Sequence, residues 1–228
     1  MLPSAAPPPP TYLLYDWDNT LVDAWAGVAA ALNAAFSAFG LPSWTLEETR
    51  ARVRTSMRDS FPLLFGPEWT RARDIFYVTL EACHLHHVTP LPGIEQLILA
   101  LPTARQGVVS NKTGRYLRAE VAHLGWQDRF AAVIGAGDAA ADKPDPAPLR
   151  LALERMGVPA SPTVWYVGDT ASDMQAARAA GVTAVLLGDA EHDGGIELAG
   201  HHLHFPDAVS LIRAFSSTEP GACLPGHG

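Results

Sequence analysis

Lysine is nearly missing from this chain of 228 residues: only Lys112 and Lys143 occur, against fourteen arginines. Basic character is low overall, with a net charge of −8 and no basic run, which argues against nucleic acid as a partner. Cysteine is as scarce. Cys83 and Cys223 stand far apart and form no motif, so a reduced, cytoplasmic setting is the default expectation. Long apolar runs are absent too. Ala24–Phe39 is too short to span a bilayer and is broken by Asn33 and Ser37, so a soluble protein with no membrane partner is expected. The opening MLPSAAPPPP lacks the basic start and apolar stretch of a signal peptide, and its prolines favour an extended, disordered arm over residues 1–10. What is present is a composition 48% hydrophobic, ordinary for one large domain or a core domain carrying a smaller one.

The stretch Tyr12–Val22, YLLYDWDNTLV, organises the rest. Tyr12 to Tyr15 suit a strand buried on both faces at the centre of a parallel sheet. The run then gives way to Asp16, Trp17, Asp18, Asn19 and Thr20. Side chains alternate along an extended chain, so Asp16 and Asp18 point the same way. Two carboxylates at the carboxyl end of a central strand suit a hard divalent cation. The plainer reading is a turn with two solvated aspartates.

After Asp23, apolar residues at steps of three and four (Trp25, Val28, Ala29, Leu32, Phe36, Phe39) predict a helix stopped by Gly40 and Pro42. Thr45 with Glu48 resembles a capping box opening a second helix toward Arg54. Ser56–Gly66, holding Pro62, reads as a loop, and Pro67 starts a longer helix to about His86. Residues 22–92 are therefore expected to be helices with no strand, a cap inserted into a core of residues 11–21 and 93–215. From Gly93 onward short strands and helices alternate: strands at 107–109, 131–134, 164–167, 184–187 and 202–205 are separated by helices. The expected fold is α/β, a Rossmann-like, doubly wound parallel sheet with an inserted all-helical cap. Residues 216–228 read as a flexible tail.

Each of four strands is expected to deliver chemistry near its end. The first gives Asp16 and Asp18, the next Ser110 beside Asn111, and another Asp169, with Asp173 one helical turn later. Lys143 lies in the loop after the third strand. Acidic groups, a hydroxyl and a lysine together suit Mg²⁺ and a phosphate. Singly, Ser110 reads as a helix cap, Asp173 as a complement to a helix dipole, and Lys143 as a loop charge whose removal leaves folding nearly unaffected.

Together these residues resemble the four motifs of the haloacid dehalogenase-like hydrolase superfamily. DWDNT resembles its first motif, VVSN the second, DKPDPAP the third and VGDTASDM the fourth, in order across Tyr12 to about Phe215. The phosphoglycolate phosphatase-like group, with a helical cap, is the most similar. The resemblance implies Asp16 as the nucleophile that forms an aspartyl-phosphate and Asp18 as general acid and base. It implies Mg²⁺ held by Asp16, the Asp18 carbonyl and Asp169, with Asp173 bound directly or through water. Ser110, the Asn111 amide and Lys143 are implied to hold the phosphoryl oxygens of a small phosphorylated metabolite. Asn19 stands where relatives usually have glycine, which suggests a positive φ. Trp17 is expected to point away from the carboxylates into packing.

The lysines also separate branches of the superfamily. Phosphonate-cleaving and sugar-phosphomutase relatives use a lysine in the cap, and none lies between residues 22 and 92. Dehalogenases lack the second aspartate that Asp18 supplies. Phosphate-monoester hydrolysis is the favoured chemistry; a sugar phosphomutase or a non-catalytic phospho-acceptor module is the alternative. His84, His86 and His87, and His201, His202 and His204, show no zinc-like spacing. Arg54 and Arg58 read as a solvated face, with recognition of a substrate carboxylate the sharper alternative.

Overall fold

The computed structural model describes residues 7–53 and 57–216. The chain begins with β1 (Tyr12–Tyr15) and β2 (Val22–Asp23). Helices α1 (Trp25–Ala38), α2 (Leu46–Arg52), α3 (Met57–Phe65) and α4 (Trp69–His87) follow, and β3 (Thr89–Pro90) closes this section. Next come α5 (Ile94–Leu99), β4 (Gln106–Thr113), α6 (Gly114–His123), β5 (Ala132–Ala136), α7 (Ala147–Met156) and β6 (Val164–Gly168). The chain continues through α8 (Ala171–Ala180), β7 (Thr183–Leu187), α9 (Ile196–Ala199), β8 (Leu203–Phe205) and α10 (Ala208–Ser216). Among the described residues no helix is long and apolar enough to cross a membrane.

Six strands form one parallel sheet in the order β5-β4-β1-β6-β7-β8. The chain leaves β1 toward β4 and β5, then returns to its other side for β6, β7 and β8. The carboxyl ends of β1, β4 and β6 therefore lie side by side at the point where the winding reverses, the crevice in which such sheets bind ligands. Both faces of β1 are buried because its side chains alternate between two cores. Leu13 and Tyr15 pack with Ile94, Leu97, Leu117 and Leu211, while Leu14 packs with Val109, Leu149, Met174 and Ala177. Buried Gln106 is satisfied: its Oε1 accepts from Tyr15 Oη (3.1 Å) and its Nε2 donates to Ile98 O (2.8 Å) and Leu101 O (2.7 Å).

The helices between β1 and β4 own a separate core of Ala31, Leu32, Ala35, Phe36, Phe61, Phe65, Ala72 and Phe76. Asn33 interrupts the apolar pattern of α1 for a reason: it exchanges two 2.8 Å hydrogen bonds with the backbone of Trp44, fixing the turn into α2. The capping box of Thr45 and Glu48 forms as expected.

Four features differ from the sequence reading. The expected loop at 56–66 contains α3, because Phe61 and Phe65, one turn apart, bury in the helical core and outweigh the hydrogen bond that Pro62 forgoes. The helical segment is not free of strand: β2 and β3 pair antiparallel, Val22 with Pro90 and Asp23 with Thr89, as the two linkers run side by side. Residues 7–10 are docked rather than disordered. Trp165 Nε1 donates to Pro8 O at 3.0 Å, Arg105 Nη2 to Pro10 O at 3.3 Å, and Pro10 is buried. The segment before β8, to which the sequence reading assigned no particular helix, carries a 3-10 turn (Glu191–Asp193) and α9. Residues 1–6 of the arm and 217–228 of the tail lie outside the described residues.

If the helical segment is stabilised by its own core, Phe36→Ala should cost about 3–5 kcal/mol there. Hydrogen exchange should then accelerate in α1–α4 first, with the sheet amides still protected; uniform acceleration across both regions would contradict a separate core.

Candidate active site

The end of β1 runs straight into the site. Asp16 N donates to Val167 O at 2.8 Å, which ties the first acidic residue to β6. The backbone then turns sharply: Trp17 O accepts from Leu21 N (2.9 Å) and Val22 N (3.1 Å), and Asn19 adopts φ +60° as its chemistry suggests. Trp17 is fully buried in the core beneath, so Asp16 and Asp18 face the cleft.

Asp16, Asp169 and Asp173 are all buried, and each offers an oxygen within 4.8 Å of the others'. β6 and the first turn of α8 supply the last two. Thr170 caps α8 and Asp173 answers it, with Thr170 Oγ1 donating to Asp173 Oδ2 at 2.6 Å. Gly168 permits this closeness: a Cβ there would meet the Asp173 side chain at 2.5 Å. Asp169 Oδ1 accepts from Thr20 Oγ1 at 3.0 Å. His192 Nε2 lies 3.0 Å from Asp169 Oδ2 at an ion-pair distance, but outside hydrogen-bond geometry, so Oδ2 is a buried carboxylate oxygen with no donor.

Lys143 sits among these acids and is buried. Its Nζ donates to Asp16 Oδ1 (2.7 Å), Asp173 Oδ1 (2.7 Å) and the Tyr166 hydroxyl (2.8 Å). The lysine reaches back from the β5–α7 loop because Asn111 clamps that loop. Asn111 Oδ1 accepts from Lys143 N and Asn111 Nδ2 donates to Lys143 O, both at 2.9 Å. Ser110 is buried beside it, its Oγ accepting from Lys112 N at 3.2 Å. Asp18 stands slightly apart and more exposed, its Oδ1 accepting from Lys112 Nζ at 2.7 Å. Above these groups lies a cleft of about 660 Å³, roofed by Val53, Tyr77 and Leu80 of the helical segment. Arg54 lies outside the described residues, as does the side chain of Arg58.

Burial dominates the electrostatics. It pushes the Asp16 carboxyl up to about 8, against the pull of Lys143 and with help from Asp173 and Asp169. It also raises Asp169. Asp173 is as deeply buried, yet Lys143 and the Thr170 donors bring it below the usual carboxylate range. Burial opposes the Lys143 charge, but the two carboxylates beside it win and hold its pKa above the ordinary value. Asp169 raises that of His192.

All seven candidate residues read from the sequence thus line one cleft. Tyr166, Thr20, Thr170, Glu120, His84 and His192 were missed. Thr170 with Asp173 was discoverable as a T-x-x-D cap, and Thr20 stands inside the DWDNT run. Tyr166 reads only as strand, nothing local marks Glu120 or His192, and His84 reads only as one of a histidine cluster without zinc-like spacing. Lys143, expected to be indifferent to folding as a loop residue, is buried between two carboxylates.

Comparison with known proteins supplies an independent line. Residues 13–187 match the family described as haloacid dehalogenase-like hydrolase. A phosphoglycolate phosphatase of Xanthomonas campestris pv. campestris is 36% identical over 182 residues, covering 77% of this chain and 82% of that protein. One from Pectobacterium atrosepticum is 33% identical over 226 residues, covering 90% and 93%. Among solved structures, a haloacid dehalogenase-like family hydrolase from Streptococcus pneumoniae aligns with TM-score 0.75 at 19% identity, covering 90% of this chain and 98% of that one. A HAD-superfamily hydrolase from Geobacter sulfurreducens aligns at 0.72 with 20% identity, covering 93% and 99%. These two share the fold.

Two outcomes follow from the charge arrangement. Lys143→Met should destabilise the chelated protein by about 3–5 kcal/mol, since it leaves buried carboxylates uncompensated; an unchanged denaturation midpoint would contradict the buried pair. Between the ordinary carboxylate range and about 8, folded Asp16 keeps a proton that the unfolded chain has lost. Its contribution to stability therefore falls as pH rises through that window, and the raised Asp169 and His192 act in the same direction. Melting of chelated protein should thus shift upward from pH 8 to pH 6, a slope that Asp16→Asn reduces.

Proposed function

The chain belongs to the haloacid dehalogenase-like hydrolases and is a phosphoric monoester hydrolase, and from that premise we propose that it is a Mg²⁺-dependent phosphatase working through a phosphoryl group carried on Asp16. The observation that carries the reading is the meeting of buried Asp16, Asp169 and Asp173 with Lys143 in a cleft where the more exposed Asp18 stands two residues from Asp16. The named relatives favour a small phosphorylated substrate such as phosphoglycolate.

The residues fit Mg²⁺. Three convergent carboxylates are hard oxygen donors, and Asp169 Oδ2 is buried with no well-aligned hydrogen-bond donor, only His192 facing it at 3.0 Å, an arrangement that a cation relieves. Asp16, the Asp18 carbonyl and Asp169 would hold the ion, with Asp173 bound directly or through water. When bound, the ion neutralises phosphoryl oxygens that the Asp16 carboxylate could not otherwise approach.

Asp16 attacks phosphorus; as that O–P bond forms, the ester P–O bond breaks and the departing oxygen takes a proton from Asp18. Asp18, now ionised, takes a proton from water as the water oxygen attacks phosphorus, releasing phosphate and restoring both aspartates. Lys143, Ser110 and the Asn111 amide hold the equatorial oxygens, where preorganised positive charge is most effective. Asn111 contributes twice, since its side chain also fixes the loop that presents Lys143.

Turnover of phosphoglycolate should stop in excess chelator and return with Mg²⁺; persistence in chelator would overturn the metal assignment. Lys143→Ala should lower the rate about 100-fold or more. With p-nitrophenyl phosphate, Asp18→Asn should accumulate one phosphoryl group on the peptide containing Asp16, seen by intact mass after rapid quench, whereas Asp16→Asn gains none. A label elsewhere would assign the nucleophile wrongly.

A further inference from the structure

Beneath Asp18 lies a buried polar network that the scheme above does not use. Glu120 of α6 is 1% exposed, and its carboxylate meets three donors. Trp17 Nε1 donates to Oε2 at 2.6 Å, Lys112 Nζ donates to Oε1 at 2.8 Å and Oε2 at 2.6 Å, and His84 Nδ1 lies 2.7 Å from Oε1. Paired with Lys112, Glu120 can only accept, so His84 Nδ1 is the donor. The third N–H of Lys112 goes to Asp18 Oδ1 at 2.7 Å, which exhausts its donors and fixes its direction. Burial disfavours the Lys112 charge, but Asp18 and Glu120 outweigh it and hold the group protonated.

Such a network is costly to bury for stability alone, because an apolar cluster of the same volume usually serves as well. Its members join three places that matter for the reaction. Trp17 is the residue between Asp16 and Asp18. Lys112 follows the Ser110–Asn111 phosphate cradle. His84 belongs to α4, whose Tyr77 and Leu80 roof the cleft. The ring of His84 also packs edge-on to Tyr116 of α6, at 5.2 Å between centroids, so its contact with the core is steric as well as polar.

We propose that Glu120, Lys112 and His84 are positioning residues that couple the seating of the helical cap to the orientation of the Asp18 carboxylate; this rests on the reading of Asp18 as proton donor. With the cap seated, His84 occupies one lobe of Glu120, Lys112 shares its donors between Glu120 and Asp18, and Asp18 Oδ1 is held while Oδ2 is left to exchange the proton. With the cap lifted, Glu120 loses a donor and draws Lys112 toward itself, releasing Asp18. The acid is thus set only over a covered substrate.

The test compares kcat/KM on phosphoglycolate, an alkyl ester that needs its leaving oxygen protonated, with kcat/KM on p-nitrophenyl phosphate, which hardly does. Lys112→Met should lose about tenfold or more on the alkyl ester beyond its loss on the aryl ester. Glu120→Gln and His84→Leu should show the same bias, and His84→Asn, which keeps a donor near the Nδ1 position, should recover most of it. A residue that merely stabilises the fold would depress both substrates alike, and equal losses in Lys112→Met and Glu120→Gln overturn the proposal, as does a His84→Leu variant with the wild-type ratio. Should Lys112→Met fail to fold, Glu120→Gln and the two His84 variants decide the matter alone. Asp18→Asn separates the two readings. A strong alkyl bias there with none in the network variants sinks only the coupling, while no bias there removes the proton-donor reading itself.

Discussion

One ammonium group among three buried carboxylates sets the terms for the rest of the molecule. Lys143 is held by Asp16, Asp173 and Tyr166 at hydrogen-bond distance, and Asp169 turns one oxygen toward His192 without a well-aligned hydrogen bond. Burial at this depth magnifies every charge, so neither the lysine nor the acids could stand there alone. Much of the fold serves to bring these groups within reach of one another. The winding reverses at β1, which puts β4 and β6 on either side of it, and Asn111 pins the distant β5–α7 loop so that Lys143 can extend back across β4. Gly168 removes the one side chain that would keep Asp173 from this cluster.

The site has a graded interior. The groups read as nucleophile and metal ligands are nearly sealed from water, while Asp18 stands at the edge of the cleft with Lys112 behind it. That separation suits two carboxylates with different tasks. The deeply buried one is poised by burial and by opposing charge, the outer one by a hydrogen bond and access to the cleft. The helical segment adds apolar groups to this enclosure, and Val53, the partly exposed Tyr77 and Leu80 line the cleft above Asp16 and Lys143.

Most of this framework is legible in the sequence where the physics is local. The buried strand followed by D-x-D, the positive φ of Asn19, the cap at Thr45 and the inward burial of Trp17 all follow from residues within a few positions of each other. What sequence reading misses is set by contacts across the chain. Trp17 and Glu120 are 103 residues apart, and His84 and Glu120 are 36. Glu120 carries no local signature, and the histidine cluster that includes His84 raises the question of a metal rather than of a partner on another helix. Lys143 was misjudged for the same reason, since a loop position says nothing of a partner 127 residues away. The helix at 57–65 was hidden by Pro62, a strong local signal overridden by burial of Phe61 and Phe65.

The small ribbon of β2 and β3 has a bearing on how the chain reaches this state. β1 must pair with β4, whose contacting residues follow about ninety positions later, and closing so long a loop is an entropic barrier to nucleating the sheet. The ribbon joins Val22 to Pro90, so once the intervening helices have folded on their own core, the two ends of that loop are already neighbours. Leu91 N donating to Leu21 O at 3.0 Å extends the clasp toward the sheet. If the helices fold first on their own core, the pairing of β1 with β4 becomes the closure of the short segment from Pro90 to Gln106 rather than a search over the whole intervening chain.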